Sequence, residues 1–240
     1  MIISLWVIGC QGSKAPDDQS STNENSVANR ESFDEVKILT EDGLSLDGRL
    51  YGFGKTGVVL SHMFPSDQSS WNDFALELTE KGYIVLTFNF RGYGDSDEEK
   101  NPAKNEVDEK AAIKFMKEQG TDDLFLIGAS MGEAAALKAG ADKNINGIVS
   151  ISAPISFRGI SVEKEIVSLK KPKLFIVSSG DLEALKDARW SFDNTPKPKD
   201  LEIFDGDDHG SDLLNGEEGE KVKKSIFDFL KDDDWKSSFF

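Results

Sequence analysis

The sequence predicts an α/β fold: a mostly parallel sheet, helices on both faces, and an antiparallel hairpin at its N-terminal end. Three observations carry this. Short apolar runs rich in β-branched and aromatic residues recur along the chain, among them Val58-Val59-Leu60, Ile84-Val85-Leu86-Thr87-Phe88 and Leu124-Phe125-Leu126-Ile127. Stretches of helical spacing alternate with them over short connections, the pattern of parallel strands wrapped by helices. Two earlier runs, Val36–Leu39 and Ser45–Tyr51, instead flank Glu41-Asp42-Gly43, a natural hairpin turn.

Taken in order, the hairpin strands are Val36–Leu39 and Ser45–Tyr51. Gly57–Ser61 reads as a buried strand leading into the loop His62-Met63-Phe64-Pro65-Ser66-Asp67. Trp71, Phe74, Ala75 and Leu78 fall on one helical face, and Gly82 ends that helix. After the strand at Ile84–Phe88, a helix is expected over Pro102–Gln119, with proline in its first turn and Gly120 as its stop. Leu124–Ile127 then precedes the helix formers Glu133–Ala139, which Gly140 ends. Further strands are expected at Ile145–Ile151, Lys173–Val177 and Leu201–Phe204, and helices at Glu183–Phe192 and Gly219–Leu230. There is no internal repeat, so residues 33–232 are expected to form one domain, with 233–240 a C-terminal tail.

At 38% hydrophobic and 30% charged, the chain has the composition of a globular protein with a sizeable core. A net charge of −16 argues against nucleic acid, which needs a basic face, and against adsorption to anionic lipid. The single cysteine, Cys10, excludes an internal disulfide and any cysteine-based metal cluster. With only His62 and His209 besides, neither a metal nor a cofactor is expected.

Residues 1–9 are almost wholly apolar and end at Val7-Ile8-Gly9, before Cys10. This resembles the lipobox of bacterial lipoproteins, in which the cysteine is lipidated and begins the mature chain. The run is too short to span a bilayer. It also lacks the basic segment that usually precedes such a leader, which places the expected translation start upstream of Met1. Residues 10–32 are rich in Ser, Asn, Asp and Gln and read as a disordered tether. The expected location is therefore extracytoplasmic, anchored to a bacterial membrane through Cys10. A ragged apolar N-terminus with a buried or free thiol is the other reading.

The chemistry centres on Gly128-Ala129-Ser130-Met131-Gly132, between a predicted strand and a predicted helix. A serine on such a glycine-flanked turn is the G-x-S-x-G arrangement, which lifts Oγ above the sheet. By itself the pentapeptide reads equally as a glycine-rich turn, so its partners decide. A serine hydroxyl needs a base within reach, and the order expected here is serine, acid, histidine. His209 is the only histidine after Ser130, and it lies in the loop beyond the last strand, where open α/β sheets place their sites. Asp181 follows the strand ending at Val177 and could orient the imidazole. Asp205, Asp207 and Asp208 share the loop of His209 and are expected to face water. His62 reads as a residue shaping the loop. For the oxyanion, the N–H of Met131 is one donor, and that of Phe64, preferred over Met63, is the second.

Together these residues resemble the α/β-hydrolase superfamily from about Val36 to Leu230. The carrying motifs are Ser61-His62-Met63-Phe64, Phe90-Arg91-Gly92-Tyr93-Gly94-Asp95-Ser96, Gly128–Gly132, Asp181 and His209-Gly210. Met63 stands where the family usually has glycine after the histidine, and Glu133 is bulkier than the glycine often found there. The resemblance implies an eight-stranded sheet and acyl-transfer hydrolysis by Ser130, His209 and Asp181. Only Ala153–Lys171 separates two strands where this superfamily carries its lids, leaving little room for a cap. The expected substrate is thus a small-molecule carboxyl ester with a small or exposed acyl group. A peptidase, amidase or thioesterase using the same residues is an alternative, as is a non-catalytic surface-binding lipoprotein.

Overall fold

The apolar runs become the middle of a sheet. The structure is a computed structural model that describes residues 32–142 and 144–231. The expected leader, the lipidation site Cys10, the tether up to residue 31 and the tail at 233–240 lie outside the described residues.

The strands are β1 (Phe33–Leu39), β2 (Ser45–Tyr51), β3 (Thr56–Ser61), β4 (Ile84–Phe88), β5 (Asp123–Ala129), β6 (Gly147–Ile151), β7 (Ser156–Phe157), β8 (Ile160–Ser161), β9 (Lys173–Ser178) and β10 (Lys199–Phe204). The helices are α1 (Asn72–Glu80), α2 (Asn105–Glu118), α3 (Met131–Ala139), α4 (Glu163–Ser168), α5 (Leu182–Asn194) and α6 (Gly219–Lys231). Eight strands form one sheet in the order β1-β2-β4-β3-β5-β6-β9-β10. The β1–β2 and β2–β4 pairs are antiparallel and the others parallel. This is the expected α/β-hydrolase architecture.

Alternation along the strands divides the core in two. Val59, Leu86, Leu124 and Leu126 face α2 and α3. Val58, Leu60, Val85, Phe125, Ile127 and Val149 face α1 and α6. Central strands buried on both faces read as continuous apolar runs, which is why β4 and β5 were plain in the sequence. Two expected helices begin with a tight 3-10 turn, at Gln68–Trp71 before α1 and Pro102–Lys104 before α2.

The excursion between β6 and β9 holds the two-stranded ribbon β7–β8 and the short α4. The ribbon was not expected from sequence, because two-residue strands are too short to show a period. It leaves no room for a large cap, in line with the expectation. No helix among the described residues is long and apolar enough to cross a membrane.

Candidate active site

The turn from β5 into α3 holds Ser130 at φ 49° and ψ −112°. A non-glycine residue there is strained, at a cost on the order of 1–3 kcal/mol, so the surroundings must hold it in place. They do so from both sides. The Ser130 N–H donates to the Ile151 carbonyl at 2.8 Å, and the Ser130 carbonyl accepts from Glu133 N–H at 3.1 Å, opening the helix. The flanking glycines allow the close approach. A Cβ on Gly128 would lie 2.4 Å from Glu133 Cα, and one on Gly132 would lie 2.2 Å from Ser61 O. Both neighbours are backbone and cannot step aside.

The carboxyl ends of β9 and β10 supply the other two groups. Asp181 caps the N-terminus of α5, its Oδ1 accepting from Ala184 N–H at 3.5 Å. Its Oδ2 lies 2.5 Å from His209 Nδ1, and His209 Nε2 lies 2.9 Å from Ser130 Oγ. An ionised aspartate accepts only, so Nδ1 carries the proton and Nε2 is free to accept from the serine hydroxyl. Ser130 is buried while the His209 side chain is 45% exposed, so one end of this chain of groups meets solvent. Asp205 and Asp207 are exposed, as expected, and Asp208 is half-buried. The Asp208 carbonyl accepts from Ser178 Oγ at 2.7 Å, which ties the histidine loop to β9.

Met131 is the first residue of α3, so its N–H has no carbonyl within its own helix to bond. The loop after β3 packs against this helix end: the Cβ of an alanine at 132 would also meet His62 O at 2.7 Å. That brings the start of the loop, at Ser61 and His62, against the turn. Met63 Sδ occupies the space a side chain at 210 would need, 2.5 Å from the Cβ that Gly210 lacks. The bulk of Met63 is thus accommodated by the glycine after His209.

His62 is fully buried. Its Nε2 accepts from Phe90 N–H at 3.2 Å, so Nδ1 is the donor, to Met63 O at 3.0 Å. The ring links the β3 and β4 loops, and its burial lowers the imidazole pKa to about 4, keeping it neutral. Arg91 is also buried and donates to Asp108 and Asp42, fixing the loop after β4.

Two buried acids escaped the sequence reading. Ser61, Gly128 and Ser150 are neighbours across β3, β5 and β6. Above this row, Ser61 Oγ donates to Glu109 Oε2 at 2.7 Å and Ser150 Oγ to Glu133 Oε1 at 2.9 Å. The second oxygen of each acid has no hydrogen-bond partner among the described residues. Burial pushes both carboxyls up to about 8, so both are largely protonated at neutral pH. A polar residue in the first turn of a helix reads as solvent-facing, and nothing near Glu133 in the sequence marks its carboxyl as buried against Ser150.

The family model described as serine aminopeptidase, S33, matches residues 55–198, more than half of the chain. The chain belongs to this family of α/β-hydrolases. The described groups occupy the carboxyl end of its sheet. A curated thiohydrolase of Aspergillus aculeatus is 32% identical over 177 residues, which are 69% of this chain and 54% of that protein. The chain thus spans about half the length of the curated relative it matches. An esterase of Pyrococcus furiosus superposes with a TM-score of 0.75 at 23% identity, over 83% of this chain and 90% of that one. An esterase from Exiguobacterium antarcticum does so with a TM-score of 0.67 at 16% identity, over 82% and 99%. At such identities these two likenesses show the fold.

Proposed function

We propose that this α/β-hydrolase is a serine hydrolase that cleaves carboxyl esters of small or exposed acyl groups through an acyl-enzyme. The observation that carries the reading is the unbroken run from Asp181 Oδ2 through the His209 ring to Ser130 Oγ, at 2.5 and 2.9 Å. Ser130 Oγ bonds to the carbonyl carbon as its proton passes to His209 Nε2. The oxyanion is held by the N–H groups of Met131 and Phe64, and Asp181 stabilises the imidazolium. His209 then protonates the departing alcohol. Water attacks the acyl-enzyme, giving its proton to His209, and the carboxylic acid leaves as Ser130 recovers its hydrogen.

The short β7–β8–α4 excursion favours exposed acyl groups over long buried chains. Thioester cleavage by the same residues is the second reading, favoured by the name of the Aspergillus relative. Fluorophosphonate labelling, followed by turnover of esters of rising chain length, matched thioesters and peptide amides, tests both. Ser130→Ala should lose the label and at least about a thousandfold in turnover while remaining folded. Retained activity in that variant would refute the assignment, and a preference for long-chain triglyceride would refute the open site. We further propose that Cys10 carries the membrane anchor. Cys10→Ala should move the protein from the detergent to the aqueous phase on partitioning, and no change would refute it.

A further inference from the structure

The wall beside the proposed oxyanion residues carries two cations. The ribbon β7–β8 turns at Arg158 and Gly159, with φ 43° and 93°. Positive φ at both residues is the pattern of a type I′ hairpin turn, whose first position favours Asn, Asp or Gly. Arginine there is strained, and strain of this kind marks sites where a side chain is needed for something other than the turn. The guanidinium lies over the Phe64 ring, 4.3 Å from its centroid, and 5.5 Å from that of Phe157. The second cation, Lys100 Nζ, sits 4.0 Å from the centroid of Tyr93, whose hydroxyl reaches Met131 Sδ at 3.7 Å. Neither cation is ion-paired among the described residues, although the chain carries a net charge of −16.

Resting on the serine-hydrolase reading above, we propose that Arg158, assisted by Lys100, is the specificity-determining cation of this site, selecting acyl groups that carry a distal carboxylate. If Phe64 N–H holds the oxyanion, its ring borders the substituent on the carbonyl carbon, so a cation stacked on that ring meets the acyl chain. The favoured substrates are monoesters, or monothioesters, of dicarboxylic acids. Stacking on Phe64 holds the guanidinium in place while leaving its edge free to bind a carboxylate through two N–H groups.

The test compares monoethyl adipate with ethyl hexanoate, in which a methyl replaces the carboxylate, and with 4-(hexanoyloxy)butanoate, in which the carboxylate is on the alcohol side. Acid release in a pH-stat gives kcat/KM for each. The native protein should prefer monoethyl adipate to ethyl hexanoate by about tenfold at low salt, and the ratio should shrink as salt screens the pair. Arg158→Asn suits the turn, so it should keep or raise the melting temperature while bringing the ratio down to about one. Lys100→Gln should lower the ratio less. A native ratio of one or below, or a preference for the alcohol-side carboxylate, would overturn the proposal. So would a ratio unchanged in Arg158→Asn with a lower melting temperature, which would make Arg158 a packing residue. Fluorophosphonate labelling of Ser130 is read in parallel. Label without carboxylate preference sinks this inference alone, whereas activity without dependence on Ser130 sinks the hydrolase mechanism beneath it.

Discussion

The carbonyl oxygen of Ser61, at the end of β3, stands 2.2 Å from where a Cβ on Gly132 would be. The start of the elbow helix therefore rests directly on the backbone of the neighbouring strand. That contact sets Met131 N–H and the loop carrying Phe64 beside each other.

Gly132→Ala should consequently push α3 and the β3 loop apart. A clash with fixed backbone costs about 1–3 kcal/mol or more, and a shift near 1 Å at a reacting centre can cost about a hundredfold in rate. We expect a lower melting temperature and a loss in kcat/KM larger than the stability loss explains, read by calorimetry and ester turnover. Native-like values for both would mean that the helix can slide freely.

In the proposed mechanism Asp181 has two jobs that substitution can separate. Asn keeps an oxygen for Ala184 N–H and caps α5 about as well as Asp. It does not hold the imidazolium with a negative charge, and it favours the wrong ring tautomer. Asp181→Asn should melt close to the native protein and lose about a thousandfold or more in kcat, whereas Asp181→Ala should also lose about 1 kcal/mol of stability. Urea unfolding and ester kinetics on the two variants check this. Full activity in Asp181→Asn would remove the residue from the mechanism.

Glu109 and Glu133 predict how stability varies with pH. Their folded pKa values of about 8 stand above the ordinary glutamate value of 4.5, so the folded protein holds more protons between those limits than the unfolded chain. Stability should be full below pH ~4.5 as far as these groups are concerned, and fall as pH rises through ~8. The upper bound is roughly 4–5 kcal/mol for each group. His62 acts the other way, its contribution being lost as pH falls from 6.5 toward about 4. Glu109→Gln with Glu133→Gln should flatten the alkaline fall in urea-derived stability and leave the acid limb in place. An unchanged alkaline slope would show that neither acid is protonated in the folded state.

Much of this was legible in the residues themselves. The order of elements followed from apolar runs such as Leu124–Ile127, because a strand buried on both faces carries its signal in consecutive residues, and the family resemblance implied the eight-stranded sheet. Ser130, Asp181 and His209 could be picked out because each follows a strand, and the structure brings these three together. The 3-10 turns that open the helical segments before α1 and α2 were not distinguished from α-helix.

What the sequence by itself determined was thus the succession of elements and the placing of Ser130, Asp181 and His209 after their strands, both written in local periodicity and in glycine-bounded turns. Tertiary structure alone decided where the long polar side chains went. Glu133 meets Ser150 on the neighbouring strand β6, Glu109 meets Ser61 from another helix, and Arg158 lies on Phe64 from a ribbon too short to announce itself. These placements depend on partners 17 to 94 residues away, and no local pattern records which of two faces a charged side chain will choose.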